Sequence, residues 1–567
     1  MRILALAALF GALAALPVAA DTTAPPEARS VFDRAEIARE EGHLEEAAKL
    51  YRQAIDAYPV YIAAHARYVA VLRALGDTGP GRGLYATLAP KYPDLIDLQA
   101  FQAVCLPKGK DRAALETLAK DYPGNAQVFL ELGRVQLRDG DLTKAEKTCK
   151  KLIKLHSDDL RAQVLLGDVY FTRKKYSRAR KAYEQAREME SAYIPAVLRW
   201  ALCRHREGKS TDALAALGRL VAEDNLPRLV AGWWLLAMIR TDLEKYDDAL
   251  KSMDKVLEID LDDLSALLAK GQILLRQGKP AEAVKVFEIA AEKHPDSSDA
   301  SYCVGWAYEK AADAPEIQDA QRKERLVKAA AAYEKCASLD PGPAPRDSLG
   351  FAYLLGERHQ DAVTQFKRAR DIDPKFAPAL NNLGLALDLG DNRSEAKKRY
   401  QEVLAKIDKN NVRARVMLAL DLWLDGAGTK AVKELEKALK IDPKDDLAWT
   451  FLGDIQVDNG KFERALKAYK KAVAINDANF TAWFHMGILY DEDKRRYEDA
   501  DRCYEKAFDL RADPPLELML RLGGINDVDL LDRPEQALKY YQEYVKAGGK
   551  EDWVPDRIDA LKELVAK

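Results

Sequence analysis

The sequence predicts an all-α solenoid of about fifteen helix-turn-helix units, closed by a C-terminal capping helix. Three observations carry this. A small residue, a Gly turn, Ala, an aromatic, Ala and Pro recur at a period of about 34 residues, as in Gly271, Gly278, Ala283, Phe287, Ala290 and Pro295. The same string returns as Gly350, Tyr353, Ala362, Phe366, Ala369 and Pro374, and again as Trp449, Leu452, Gly453, Gly460, Ala465, Tyr469 and Ala472. Self-similarity at a fixed period of this size marks stacked supersecondary units. Between these positions apolar residues recur at three- and four-residue spacing, which is helical, and the period-two alternation of strands is absent. Where a unit ends in Pro, as at Pro295 and Pro374, the residue lacks a backbone N–H and stops the second helix.

The chain opens with a different composition. Arg2 is a minimal positive region, Ile3–Leu16 an apolar stretch, and Val18-Ala19-Ala20 a small-residue cleavage site. Residues 1–20 therefore read as a signal peptide, 21–27 as a flexible lead-in holding Pro25 and Pro26, and the mature chain as exported and periplasmic. An uncleaved anchor is the alternative, and no later segment reads as a membrane span. Units then begin near Ala28, Ile62, Ile96, Ala126, Leu160, Ile194, Val230, Leu264, Ser298, Pro343, Ala377, Val412, Asp446, Phe480 and Leu518. They divide into N-terminal repeats 28–228 and C-terminal repeats 229–547, the stretch 96–125 being short and degenerate and the sixth unit lacking its aromatic. In the ninth, Tyr308 and Tyr333 stand twelve residues further apart than the pattern demands, so an insertion near 311–323 either lengthens two helices or forms a loop. Gly548-Gly549 ends the last unit, and 548–567 reads as a capping helix with Ile558, Leu561 and Leu564 on one side, or as a docking tail.

Composition narrows the function. The 567 residues carry 88 Lys+Arg against 91 Asp+Glu, a net charge of −3. That balance gives no footprint for nucleic acid. The six cysteines, Cys105, Cys149, Cys203, Cys303, Cys336 and Cys503, are scattered and read as buried thiols, Cys303–Cys336 being the one plausible disulfide in an exported chain. The seven histidines form no metal spacing, and no P-loop, G-x-G-x-x-G or G-x-S-x-G is present. We expect no enzyme, no metal and no cofactor.

The repeating string resembles the tetratricopeptide repeat (TPR), in which each unit is a pair of antiparallel helices, A and B, stacked into a right-handed superhelix. The resemblance implies that Gly at position 8 and Ala at position 20 sit where the helices cross, that the aromatic at position 24 fills space between neighbouring repeats, and that Gly near position 15 makes the A–B turn. It also implies that helix-A positions 2, 5, 9, 12 and 13 line a concave groove. Carried onto this chain, those positions give Phe171, Trp234, Tyr302, Trp306, Phe351, Trp423 and Phe484, with Leu354, Leu355, Leu385 and Leu389, accompanied by Asp347, Asp388, Asp454, Asp458, Asp491 and Glu492. Asn381 and Asn382 stand where a peptide backbone is held in some superhelices, or are solvated or capping amides. The carboxylate clamp of TPR cochaperones is incomplete, because Asp347 and Phe351 replace its Lys and Asn, and Arg413 and Met417 follow.

The expected function is a non-enzymatic scaffold or adaptor in a cell-envelope assembly, with partner proteins gripped in the groove. The pattern is similar to periplasmic TPR proteins of bacterial motility, secretion and polysaccharide export, that of myxobacterial gliding among them. A glycan- or peptidoglycan-binding module is the alternative, since exposed Trp with acids also suits sugars, and a self-assembling structural protein is a third reading. The sequence leaves the oligomeric state open.

Overall fold

The computed structural model describes residues 23–191, 193–223, 229–314, 317–493, 495–511 and 513–566. The expected signal peptide, 1–20, lies outside them, as do Asp21 and Thr22. Among the described residues there are 31 α-helices, three five-residue π-helical turns and no strand. All but the last helix form fifteen A–B pairs, whose A helices begin at Pro26, Ile62, Ile96, Ala126, Leu160, Ile194, Val230, Leu264, Ser298, Pro343, Ala377, Val412, Asp446, Phe480 and Leu516. Each start falls within two residues of the position read from the period.

The pairs are built by three local devices. Asp, Asn or Ser precedes many A helices and accepts from their first free N–H groups: Asn411 Oδ1 accepts from Ala414 N at 2.9 Å, and Asp445 Oδ1 from Ala448 N at 2.7 Å. The A–B turn passes through one residue in the left-handed region. Gly278, at φ +79°, fills it where the sequence provides Gly. Elsewhere the expectation of a Gly turn is corrected. Gly356 and Gly390 stand one residue early, with φ of −87° and −93°, and the left-handed residues are Glu357 and Asp391, both at φ 60°.

The third device joins position 8 to position 24. A Cβ built on Gly453 would lie 2.3 Å from the Tyr469 ring, one on Gly271 2.4 Å from Phe287, and one on Gly350 2.7 Å from Phe366. The aromatic ring thus covers the glycine of its own repeat, in addition to the expected place between repeats. Tyr469 still reaches the next repeat, where its ring meets His485 edge-on at 6.1 Å. Ala283, Ala362 and Ala465, at position 20, are fully buried beside these rings.

The described residues divide into two compact units at His294/Pro295. Across the 228/229 position, Leu217, Leu220 and Val221 pack in one cluster with Leu229, Leu235 and Leu236. In the second unit the insertion lengthens both helices of its repeat. The A helix Ser298–Ala312 has 15 residues and the B helix Asp319–Leu339 has 21, against 13 and 14 in Leu264–Arg276 and Pro280–Lys293.

The ends differ slightly from expectation. The first helix starts at Pro26 and Ala24 is buried, so the lead-in is not a free segment as far as 27. The last helix, Val554–Val565, buries Val554, Ile558 and Leu561 against Met519, Tyr541 and Tyr544, as a cap does. Leu564, expected on the same side, is 45% exposed. All six cysteines are buried free thiols, so Cys303 and Cys336 are not bridged. Burial pushes the Cys105 and Cys336 thiols up to about 11, which suppresses thiolate chemistry.

Candidate partner-binding pocket

One polar arrangement recurs on the A helices. The acid at position 9 accepts from the Tyr at position 24 of its own repeat and faces a base at position 6 of the next. Asp168 Oδ1 accepts from the Tyr183 hydroxyl at 2.7 Å and from Arg199 Nε at 2.7 Å. Glu36 Oε1 accepts from the Tyr51 hydroxyl and, at 2.8 Å, from Arg67 Nε. Burial alone would raise the Glu36 carboxyl, but Arg67 and Arg39 outweigh it and hold the group below its ordinary value. Arg67 and Arg199 are buried, so each pair is a desolvated latch between successive repeats. The third copy has a histidine: Asp454 Oδ1 accepts from the Tyr469 hydroxyl at 2.7 Å and meets His485 Nδ1 at 2.7 Å. Burial first, then the Asp454 charge, raises the Tyr469 hydroxyl above its usual range, so it stays a donor.

This third latch forms one wall of a cavity of about 500 Å³ in the second unit. Its lining comprises Trp423, Asp454, Val457, Asp458, Phe462, Tyr469, His485, Ile488, Leu489 and Glu492. Three successive A helices supply most of it, Val412–Leu424, Asp446–Asp458 and Phe480–Ile488, the last continued by the π turn Leu489–Asp493, and the B helix Phe462–Ile475 adds Phe462 and Tyr469. Trp423, Val457, Asp458 and Ile488 all belong to the closing turn of their helices. The Trp423 indole Nε1 donates to Asp458 Oδ2 at 2.6 Å, which fixes both side chains at the mouth. Glu492, 60% exposed at its side chain, accepts from Arg521 Nη2 at 2.9 Å. An apolar cleft with a few placed polar groups is what a ligand-binding site requires.

The residues read from the sequence separate into three groups. Trp423 and Asp454 meet in the cavity, with Asp458 and Glu492 beside them. Asp454 is therefore a latch residue through Oδ1 as well as a lining residue. Trp306 and Phe351 are half-buried: Trp306 packs on Ala329, Ala330 and Tyr333, and Phe351 on Leu354, Phe366 and Leu383. Tyr302 is 37% exposed, with its ring 5.4 Å from that of Tyr333. Trp234 is half-buried on Val230–Asp242 in the first unit.

Three placements are corrected. Phe484 is buried, stacked on Phe480 at 5.8 Å and 5.9 Å from Tyr504, because its helix turns this face to the core. Asn381 and Asn382 are buried as well. Asn382 Nδ2 donates to Asp347 Oδ1 at 2.9 Å in the preceding repeat, and Asn381 Nδ2 to Asn411 Oδ1 at 3.2 Å in the next. Their donors tie repeats together instead of facing a peptide. Sequence reading missed Val457, Phe462, His485 and Ile488. His485 and Ile488 stand at positions 6 and 9 of a repeat whose register was legible, but neither the position-6 base nor the B-helix residue Phe462 was among the positions sought.

Among the described residues no group of three or more His, Cys, Asp or Glu is arranged to hold a metal ion. No described helix is long and apolar enough to cross a membrane. Tetratricopeptide repeat models match residues 28–61, 112–159, 150–193, 198–263, 268–344 and 480–514, and a TPR repeat model matches 453–494. These matches describe repeats and not a catalytic domain. The chain is 24% identical to Superkiller complex protein 3 of Mus musculus over 501 residues, 76% of this chain and 31% of that protein. It is 25% identical to a TPR repeat-containing protein of Methanocaldococcus jannaschii over 331 residues, 55% of this chain and 56% of the relative. The chain thus spans about a third of the mouse relative and about half of the archaeal one. Among solved structures, yeast Tom70 is similar with a TM-score of 0.41 and 14% identity, over 75% of this chain and 99% of that one.

Proposed function

This chain belongs to the tetratricopeptide repeat family, and we propose from that premise that it is an exported, non-enzymatic adaptor that grips segments of partner proteins on its A-helix face. The observation that carries the reading is the cavity around Trp423, an apolar cleft rimmed by fixed acids on the face that a repeat array offers to partners. Trp anchors seated in such pockets carry a large share of binding energy at protein interfaces. The cell-envelope setting, whether motility (gliding included), secretion or export, rests on the leader pattern of residues 1–20.

Capture by in-cell crosslinking tests the reading. Trp423→Ala should lose the captured proteins. Trp306→Ala, whose ring packs on its own core, should cost stability without selective loss of capture. Fractionation of the same cells tests export: the protein should leave the cytoplasm only with residues 1–20 intact. Retention of every partner by Trp423→Ala would remove the cavity from the function. The glycan reading has one favouring observation, an exposed acid bonded to a tryptophan at the cavity mouth. Binding to protein-free wall material would bring that reading forward.

A further inference from the structure

The cavity at Trp423 combines two features that point to one kind of occupant. Its apolar part is made by Trp423, Val457, Phe462 and Ile488, within a cavity of about 500 Å³. Its polar part is acidic. Asp454, Asp458 and Glu492 line it, and no Lys or Arg is among the lining residues. His485 is engaged by Asp454 Oδ1, and Arg521 reaches Glu492 from outside the lining. Among the described residues, Asp454 Oδ2 receives no hydrogen bond, and Asp458 Oδ1 is left over once the Trp423 indole has taken Oδ2.

Backbone electrostatics act in the same sense. Trp423, Val457 and Asp458 lie in the C-terminal turns of two of the A helices, ending at Leu424 and Asp458. The C-terminal end of a helix carries a partial negative charge, which favours a cation within the last turn. The Trp423 indole lines the same cavity, and an indole ring is a favourable neighbour for a cation. The Lys471 ammonium already lies 4.0 Å from the centre of the neighbouring Trp449 ring, and the Arg358 guanidinium 4.3 Å from that of Tyr353. The chain therefore uses the same contact for its own cations on other aromatics.

We infer that this cavity receives a lysine or arginine side chain of the partner segment, its aliphatic stem lying along Trp423, Val457 and Ile488 and its charged head meeting Asp458, Glu492 and the remaining oxygen of Asp454. The inference rests on the reading of this face as a protein-binding surface and adds the chemistry of the residue it selects. An apolar stem with a charged tip is what such a two-part cleft accommodates. A neutral side chain of equal length fills the apolar part and leaves the acids unpaired.

The test is a titration of the whole chain, labelled with ¹⁵N at the tryptophan indoles, with the Trp423 signal assigned through Trp423→Phe. The probes are N-acetyl-arginine methylamide and N-acetyl-lysine methylamide, set against the neutral citrulline and norleucine counterparts. The cationic probes should move the Trp423 indole signal with affinity at least about five-fold above the neutral ones, and added salt should weaken them. Asp458→Asn and Glu492→Gln should each weaken the cationic probes by about two- to five-fold, as expected of partly exposed ion pairs, and leave the neutral probes unchanged. Equal shifts from the neutral probes, or no shift from either cation up to its solubility limit, overturns the inference. If the titration shows no preference but Trp423→Ala still abolishes capture, the adaptor reading stands and the cation falls. If the preference appears but capture is indifferent to Trp423→Ala, the cation stands and the adaptor use of this cavity falls.

Discussion

Asp168 and Arg199 lie in successive repeats, and the Arg199 Nε hydrogen is held by Asp168 Oδ1 at 2.7 Å in a site where both side chains are buried. The same oxygen accepts from Tyr183, so one carboxylate closes its own repeat and joins it to the next. In a solenoid, stability is the sum of repeat terms and nearest-neighbour terms. This contact is a nearest-neighbour term written in three side chains. Arg199→Ala leaves a buried carboxylate without its partner and should cost about 3–5 kcal/mol, read from urea unfolding of the chain. Asp454→Ala, whose base is the half-exposed His485, should cost less, about 1–2 kcal/mol.

The pairing of position 8 with position 24 gives a second expectation. Gly453→Ala places a methyl 2.3 Å from atoms of the Tyr469 ring, and the ring has the Asp454 hydrogen bond to lose if it moves. The variant should be destabilised by about 1–3 kcal/mol, and Gly350→Ala, against Phe366, by a similar amount. Combining Gly453→Ala with Tyr469→Leu should restore part of the loss, since a smaller side chain frees the space. Unchanged melting in both single variants would contradict the packing described.

Left-handed residues that are not glycine offer stabilisation. Glu244 and Glu357 hold φ of 58° and 60° at their A–B turns. A side chain in that region costs roughly 1–2 kcal/mol. Part of the gain is lost to the greater freedom of Gly in the unfolded chain. Glu244→Gly and Glu357→Gly should each stabilise by about 0.5–1 kcal/mol, seen as a higher urea midpoint at constant slope.

A buried acid pair sets a pH dependence. Asp421 is fully buried, and neither of its carboxyl oxygens has a donor from another residue. Burial, followed by the Asp388 carboxyl beside it, pushes Asp421 up to about 8. Its folded value is above its unfolded one, so the contribution to stability is whole below about pH 4 and is lost as pH rises through about 8. Thermal melting should fall across that window. Asp421→Asn, which keeps the shape without the charge, should flatten the fall and gain on the order of 1–3 kcal/mol at pH 9.

Much of the fold was legible because the repeat states its own register. Gly271 with Phe287, and Gly453 with Tyr469, recur at one spacing, and that spacing placed every A helix within two residues. The groove was less legible. A position number says which face a residue occupies and not whether a neighbour covers it. Phe484, at position 5, and Trp423, at position 12, were both assigned to the groove face, yet Phe480 and Tyr504 cover the first while the second opens on a cavity. Asn382 looked available until Asp347, 35 residues earlier, took its amide. The latch went unread for the same reason: its three residues belong to two repeats, and each looks like an ordinary surface position when taken alone.

The account's central claim is that the A-helix cavity of the second unit is where a partner is held, and site-specific photocrosslinking in living cells tests it most directly. A photoreactive amino acid would replace Ile488 in the cavity, or Lys467, an exposed residue on the helix Phe462–Ile475, as the comparison. The account predicts that position 488 forms a discrete adduct with a partner, that position 467 does not, and that Trp423→Ala removes the adduct. An adduct of equal yield from position 467, or none from 488 while the folded protein still captures its partners, would contradict it.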